Sequence, residues 1–176
     1  MDHVRRALFA ALAAWASLVA AQPAELGIKA AYLYKFGGFV EWPDGAFAAP
    51  AAPLVIGMLG ADALADELEQ AVAGRRVRER PVAVRRLRPG ERIEGVHVLF
   101  IGAAQDARLR EITAAARGQA VLIVTESESA TGRGSMINFV VADNRVRFDV
   151  ALPAAEAGHL KISARLLSVA RRVIDS

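Results

Sequence analysis

The sequence predicts an α/β sandwich: a mixed, partly parallel, Rossmann-like sheet with helices on both faces and a β-hairpin near the C-terminus. Three observations carry this. Short apolar runs at 53–59, 96–101 and 120–124 are flanked by Gly or Pro and separated by segments of helical periodicity, the pattern of strands buried on both faces. Two stretches of period-two alternation bracket Asp143-Asn144, residue types that tolerate the positive φ of a two-residue turn. Finally, Lys29–Pro43, KAAYLYKFGGFVEWP, gathers five of the chain's eleven aromatic residues into eleven positions.

The first 21 residues read as a cleaved signal peptide. Arg5-Arg6 precede an uninterrupted run of apolar or small residues from Ala7 to Val19, and Val19-Ala20-Ala21 makes a small-residue cleavage site before Gln22. At about 13 residues the run is too short to span a bilayer, which takes about 20. Residues 22–176 are then expected to form one exported, soluble domain. The chain has no Cys, which excludes a lipid-modified cysteine, a disulfide staple, thiolate metal sites and cysteine nucleophiles. Without the leader, 20 basic and 18 acidic side chains remain, a net +2. Such a balance points to no class of partner, and nucleic acid is not expected for an exported protein.

Taken in order, Lys29–Pro43 predicts a helix with Ile28, Tyr32, Phe36 and Phe39 on one stripe and Leu33 and Val40 on its shoulder. It stops at Pro43, with Ile28, Leu33 and Phe36 assigned to the core. Gly37 and Gly38 fall inside it, where each costs about 1 kcal/mol relative to Ala; close backbone approach or a kink accounts for such a pair. Asp44–Pro53 is an Ala/Pro loop. The strand at 53–59 leads to a helix capped by Asp62, with Leu64, Leu68 and Val72 inward and Gly74 ending it. Arg75–Arg92 carries eight Arg against two Glu and contains a strand at Pro81–Leu87 with its arginines toward solvent. That reads as a charged edge strand, or as a surface for an acidic protein or anionic lipid headgroups. A helix from Gln105 to Arg117, with Leu109 and Ile112 inward, separates the strands at 96–101 and 120–124. After the hairpin, Pro153 opens a last helix with Leu160, Leu167 and Ile174 on one face and a break at Gly158-His159. Arg171 and Arg172 complement its dipole.

The sequence holds no arrangement that predicts catalysis. There is no G-x-S-x-G elbow, no phosphate-cradling G-x-x-x-x-G-K-[ST] loop and no H-E-x-x-H. Past the leader only His97 and His159 remain. His97 reads as a histidine of the core or sheet edge, and the pair makes neither a metal site nor a cofactor site. The best small-ligand candidate is the loop Thr131, Gly132, Arg133, Gly134 and Ser135. It follows a strand end, where α/β folds bind ligands, and its glycines can turn backbone N–H groups toward an anion.

Three blocks also carry a resemblance: K-A-A-Y-L-Y-K-F-x-x-F-V-E-W-P at Lys29–Pro43, M-I-N-F-V at Met136–Val140 continuing to V-R-F-D-V at Val146–Val150, and A-G-H-L-K-I-S-A-R-L-L-S-V-A at Ala157–Ala170. In this order and spacing they resemble the YfiR-like family of periplasmic regulatory proteins. The resemblance implies a compact, usually dimeric α/β sandwich without catalytic activity. It also implies a partner in the inner membrane, a diguanylate cyclase or a sensor kinase. In the best-known member, the protein represses the cyclase by binding its periplasmic sensor region, so that release raises cyclic di-GMP. That member carries disulfides, whereas this chain has none to form, which excludes thiol-based redox control here. Tyr34, Glu41 and Trp42 are the residues expected at a partner interface. The alternative reading is a periplasmic small-molecule sensor that uses the 131–135 loop.

Overall fold

A computed structural model describes residues 24–128, 130 and 132–175; the predicted leader lies outside them. Helix α1 covers residues 24–36 and ends at Phe36, short of the expected stop at Pro43. Gly37 and Gly38 do not sit inside it. They turn the chain out of it, with the Gly38 N–H donating to Lys35 O and the Phe39 N–H to Phe36 O, both at 2.9 Å. Two successive glycines weaken helix propagation. The residues beyond are claimed by a competing strand, β1 (Val40–Glu41), which pairs antiparallel with β9 (Lys161–Ile162). Of the two explanations for the glycines, close approach holds at Gly37. A Cβ there would lie 2.3 Å from Leu54 Cδ2.

Leu33 and Phe36 are fully buried, as expected, but Ile28 is 45% exposed. The buried face runs through Lys29, Ala30, Leu33, Phe36 and Gly37, centred on Leu33. The aromatics at 32, 36 and 39 pull a hydrophobicity reading away from that centre, because small Ala30 and charged Lys29 give it no weight.

Eight strands form one sheet in the order β10 (Arg172–Ile174), β8 (Arg145–Ala151), β7 (Ile137–Ala142), β6 (Leu122–Thr125), β5 (Val98–Ile101), β2 (Leu54–Leu59), β4 (Arg80–Leu87), β3 (Arg76–Val77). Strand β2 (Leu54–Leu59) passes through α2 (Asp62–Val72) to β4 (Arg80–Leu87), which pairs parallel beside it. Strand β5 (Val98–Ile101) passes through a 3-10 turn (Ala103–Arg108) and α3 (Leu109–Ala115) to β6 (Leu122–Thr125), again parallel. The helix expected from Gln105 to Arg117 is thus a 3-10 stretch followed by a shorter α-helix. Leu64, Leu68 and Val72 are buried along α2, but Asp62 is not its cap. Ala61 holds that position, and no side chain caps the helix.

β7 (Ile137–Ala142) and β8 (Arg145–Ala151) form the predicted hairpin, with Asp143 at φ 51° and Asn144 at φ 54°. Its inner residues Ile137, Phe139, Val146, Phe148 and Val150 are buried, while Val141 near the tip is 58% exposed. The C-terminal segment departs most from expectation. Pro153 does lie in the first turn of α4 (Leu152–Ala157), but the chain then breaks at Gly158 and His159 (φ 57°). It continues as β9, the one-turn α5 (Ala164–Leu167) and β10 (Arg172–Ile174) instead of one helix. Arg171 and Arg172 therefore complement no helix dipole. Arg171 grips buried Asp149 along one guanidinium edge, its Nε and Nη2 donating to the two carboxylate oxygens at 2.8 and 2.5 Å, and Arg172 reaches it at 3.1 Å. The Arg171 guanidinium holds the Asp149 carboxyl below its usual range, against the opposing effect of burial. This ties β10 parallel to β8.

Register assigns the faces. Met58, Arg86 and Phe100 point the same way, toward the acidic side of α2, where Arg86 meets Asp66 and Glu69, and toward the rings that α1 lays on the hairpin. Leu59, Ile101 and Thr125 point the opposite way, toward α3. Replacing Phe36 by Ala empties the first face at its centre. It should cost about 3–5 kcal/mol in denaturant unfolding, the range for a buried Phe; a loss under about 1 kcal/mol would mean that the ring cluster does not hold α1 in place.

Candidate functional site

The turn at Gly37–Gly38 sets where the aromatic segment leaves the core. Trp42, half-buried, donates its Nε1–H to Gly37 O at 3.3 Å, satisfying a carbonyl just past the helix end. Its ring stands edge-on to Phe47 and to His97, both at 5.9 Å between centroids. Phe47 stacks on the His97 imidazole at 4.2 Å, and the Arg80 guanidinium lies over the Phe47 ring, 3.8 Å from its centroid. Arg80 is fixed there by two hydrogen bonds at 2.9 Å to Ala49 O and Ala52 O. The Asp44–Pro53 loop is thereby wrapped around a fixed cation.

His97 is the pin of this arrangement. It is 5% exposed. Its Nδ1 accepts the Val55 N–H at 3.1 Å, and its Nε2 lies 3.0 Å from Ala46 O. An Nδ1 that accepts must be unprotonated, so the neutral tautomer with the proton on Nε2 satisfies both contacts. Burial, reinforced by the nearby Arg80 charge and opposed by the Ala46 bond, pushes the imidazole below its ordinary value. The sequence reading of His97 as a structural histidine agrees with these contacts.

Beside Trp42 opens a groove of about 610 Å³, lined by Trp42, Phe47, Leu54, Val77, Arg78 and Arg80 among others. Its basic wall is the tight hairpin between β3 (Arg76–Val77) and β4, turned at Arg78 (φ 46°) and Glu79 (φ 64°). Arg78 donates to Gly38 O at 3.0 Å, and Arg75 lies 5.6 Å from the centre of the Tyr34 ring. The aromatic segment and the arginine-rich run, unconnected in the sequence, thus form one surface. Beyond Val82, β4 borders the sheet on that side, the charged edge that the sequence predicts.

Of the residues expected at an interface, Trp42 lines the groove, Tyr34 packs on the core and under Arg75, and Glu41 is exposed on β1 opposite Lys161. Sequence reasoning did not single out Phe47 or Arg80. The available signal was a lone aromatic residue in a loop otherwise composed of Ala, Pro, Gly and one Asp, where nothing local gives it a large hydrophobic partner.

The second candidate, the 131–135 loop, divides. Thr131 lies outside the described residues. Ser135 is buried, with its hydroxyl 2.7 Å from that of Thr125. Thr125 donates to Asn138 Oδ1 at 2.7 Å, Ser127 N–H donates to the same oxygen at 3.0 Å, and Ser127 Oγ donates to Asp106 at 2.8 Å. Gly132 and Gly134 adopt positive φ, and Arg133 donates to the Asp106 carbonyl. The usual ligand crevice of an open α/β sheet lies at the strand ends where connections diverge, here between β2 and β5. It is closed: a Cβ on Gly102 would sit 2.3 Å from Gly60 O, and one on Gly60 would sit 2.8 Å from Gln105 Cγ.

Among the described residues no group of three or more His, Cys, Asp or Glu side chains is placed to hold a metal ion. None of their helices is long and apolar enough to cross a membrane. Fold and surface define an α/β sandwich whose strand-end crevice is shut by its own backbone and which carries an open aromatic groove walled by arginine. The chain belongs to the YfiR/HmsC-like family, whose model matches residues 27–171; the match takes in α1 from Gly27 on, the groove and the sheet as far as Arg171. No curated protein matches the chain significantly.

Two outcomes follow from this geometry. Gly102→Ala pushes a methyl against backbone, which cannot step aside, and should cost about 1–3 kcal/mol; an unchanged unfolding midpoint would mean that the crevice is open in solution. His97, depressed when folded, binds a proton more weakly than in the unfolded chain. Stability should therefore be full above the ordinary histidine value of 6.5 and fall as the pH drops through the range below it. Denaturation at pH 7.5 and 5.5 should show this loss in the wild type. In His97→Asn, whose carbonyl can still accept the Val55 N–H, the loss should be smaller; equal losses in both proteins would remove His97 as the cause.

Proposed function

We propose that this protein is an exported, periplasmic, non-catalytic regulator that binds the periplasmic sensor region of an inner-membrane signalling protein. The family to which the chain belongs favours repression of a diguanylate cyclase, and so control of cyclic di-GMP, with a sensor kinase as the other partner of this kind. A homodimer is the assembly this reading carries. The observation behind it is that the aromatic segment is not wholly consumed by the core. It ends in a groove bounded by Trp42, Phe47 and the arginines of the β3–β4 hairpin, with Glu41 exposed on the adjoining strand.

Aromatic rings and arginines are the residue types that dominate binding energy at protein interfaces. A groove with an apolar floor and a cationic wall, with exposed Glu41 beside it, matches a partner segment carrying apolar and acidic side chains and a basic one where it passes Glu41. The contact is then made through surface complementarity, and a charged residue at its margin acts on recognition more than on folding.

Capture of the tagged protein from detergent-solubilised inner membranes should co-purify a signalling protein with a periplasmic domain. Glu41→Arg, which alters an exposed side chain, should keep the unfolding midpoint and reduce recovery about tenfold, equivalent to about 1.4 kcal/mol. Tyr34→Ala should reduce it in the same direction. Recovery of the bait alone, under conditions that retain other periplasmic complexes, would overturn the reading. Trp42 is a poorer test position, because its indole also closes the end of α1.

A further inference from the structure

Residues 44–48, between β1 and β2, form a wall of the aromatic groove, and among the described residues they pair with no strand. The Ala46 N–H turns back to Pro43 O at 3.1 Å, within its own turn. What ties this wall to the sheet is His97. Its imidazole meets Ala46 O through Nε2 and stacks on Phe47, while Nδ1 accepts from Val55 on β2. Arg80 is the other hold, over the Phe47 ring and bonded to Ala49 O. Residues 43–46 also line a second cleft, of about 390 Å³, together with Glu94, Val96, Val121 and His159. The wall is thus a partition between two open spaces, held at one buried ring.

The hold works in one protonation state. A protonated imidazole carries N–H on both nitrogens. At Nδ1 that N–H would face the Val55 N–H, donor against donor, across 3.1 Å. The Val55 donor would lose its acceptor, and a buried donor without a partner is costly. The imidazolium would also be a second cation against a ring that already carries the Arg80 guanidinium. The charged side chains nearby are Arg78 and Asp44 along the groove, Glu94 and His159 along the second cleft, and Arg80 on β4. Of these, Arg80 is the one whose charge acts on the imidazole, and it disfavours the charged form. Val55 and Trp42, which meet the ring from β2 and from the aromatic segment, are uncharged.

We propose that His97 is a proton-operated latch: on taking up a proton at Nδ1 it leaves Val55 and releases residues 44–48, so that acid dismantles the groove while the sheet stays folded. The Ala46 contact survives protonation, because Nε2–H still donates, and ring and loop therefore leave together into the open space beside them. Phe47 goes with them, and Trp42 loses both of its edge contacts. The consequence for regulation rests on the reading of the groove as the partner surface. A partner that binds only the latched form and the proton then weaken each other's binding by the same factor, and acid frees the partner.

The test is the fluorescence of Trp42 in the chain beginning at Gln22, where it is the sole tryptophan. Emission is read from about pH 7.5 to about pH 5, beside far-ultraviolet circular dichroism and the proton resonances of the imidazoles. No partner is present, so the outcome is independent of whether the groove binds a signalling protein. The emission should shift to longer wavelength and become easier to quench with acrylamide. Both changes should follow the titration of His97, below the ordinary histidine value of 6.5, with the dichroism unchanged. His97→Asn, which does not titrate and can still accept the Val55 N–H, should abolish the shift. His159→Asn, at an exposed position with φ 57° that Asn tolerates, assigns the other imidazole and should leave the shift intact. Emission that stays constant while His97 titrates, that shifts equally in His97→Asn, or that shifts only as the dichroism is lost overturns the inference. If His97→Asn does not fold, the wild type decides: coincident midpoints of emission and His97 support the latch, and separate ones overturn it.

Discussion

The structure depends on one cluster of rings. Phe36 of α1 lies 5.1 Å from Phe148 in a T-shaped contact and 5.7 Å from Phe139 in a stacked one, and Tyr32 adds an edge contact to Phe148 at 5.4 Å. Phe100 joins from the central strand at 6.3 Å from Phe139. Phe36, Phe139, Phe148 and Phe100 are all nearly or fully buried, so their contacts add to a large burial of apolar area. The cluster joins the first described helix to the hairpin formed much later in the chain. A second clamp supports it at the other end of α1, where the nearly buried Lys29 ammonium meets Glu25 at 2.6 Å and Glu126 at 2.8 Å. Burial alone would draw the Lys29 ammonium down, yet the two carboxylates hold it above its ordinary value.

Once α1 is pinned, the position of its C-terminal end is settled, and the groove follows from that. Gly37 lets the chain pass against Leu54, Gly38 offers its carbonyl to Arg78, and the chain leaves as β1 in the direction that places Trp42 over His97. His97 in turn holds the loop at Ala46 and the start of β2 at Val55. Core and surface are therefore continuous. The same short aromatic segment supplies the packing that fixes the sheet and the rings that remain half-open to a partner.

Charge is organised by proximity, and its total says little. The net excess of three cations in the whole chain conceals two kinds of arginine. Arg85, Arg86, Arg171 and Arg172 are matched to acids on the following loop, on α2 or on β8, where exposed pairs contribute little each but discourage edge-to-edge association. Others, such as Arg78 and Arg80, are held by backbone carbonyls and by the Phe47 ring. The distinction lies in which helix packs over which strand, and a count of residues does not contain it.

The sequence by itself determined what local chemistry determines. Continuous apolar runs made β2, β5 and β6 legible, and Asp143-Asn144 made the hairpin legible, because strand burial and positive φ are written in residue type. Leu64, Leu68 and Val72 likewise marked the inner side of α2. The tertiary structure decided wherever two local options were nearly balanced. The segment after Phe36 had aromatic helical periodicity but two glycines, and pairing with β9 converted its end to strand. The C-terminal segment had helical spacing throughout, yet Asp149 drew Arg171 and Arg172 into register beside β8. For the candidate site, Trp42 was legible as an unusual aromatic next to Pro43. Phe47 follows in the next loop, but His97 and Arg80 come from distant segments, and only packing brings them against these rings.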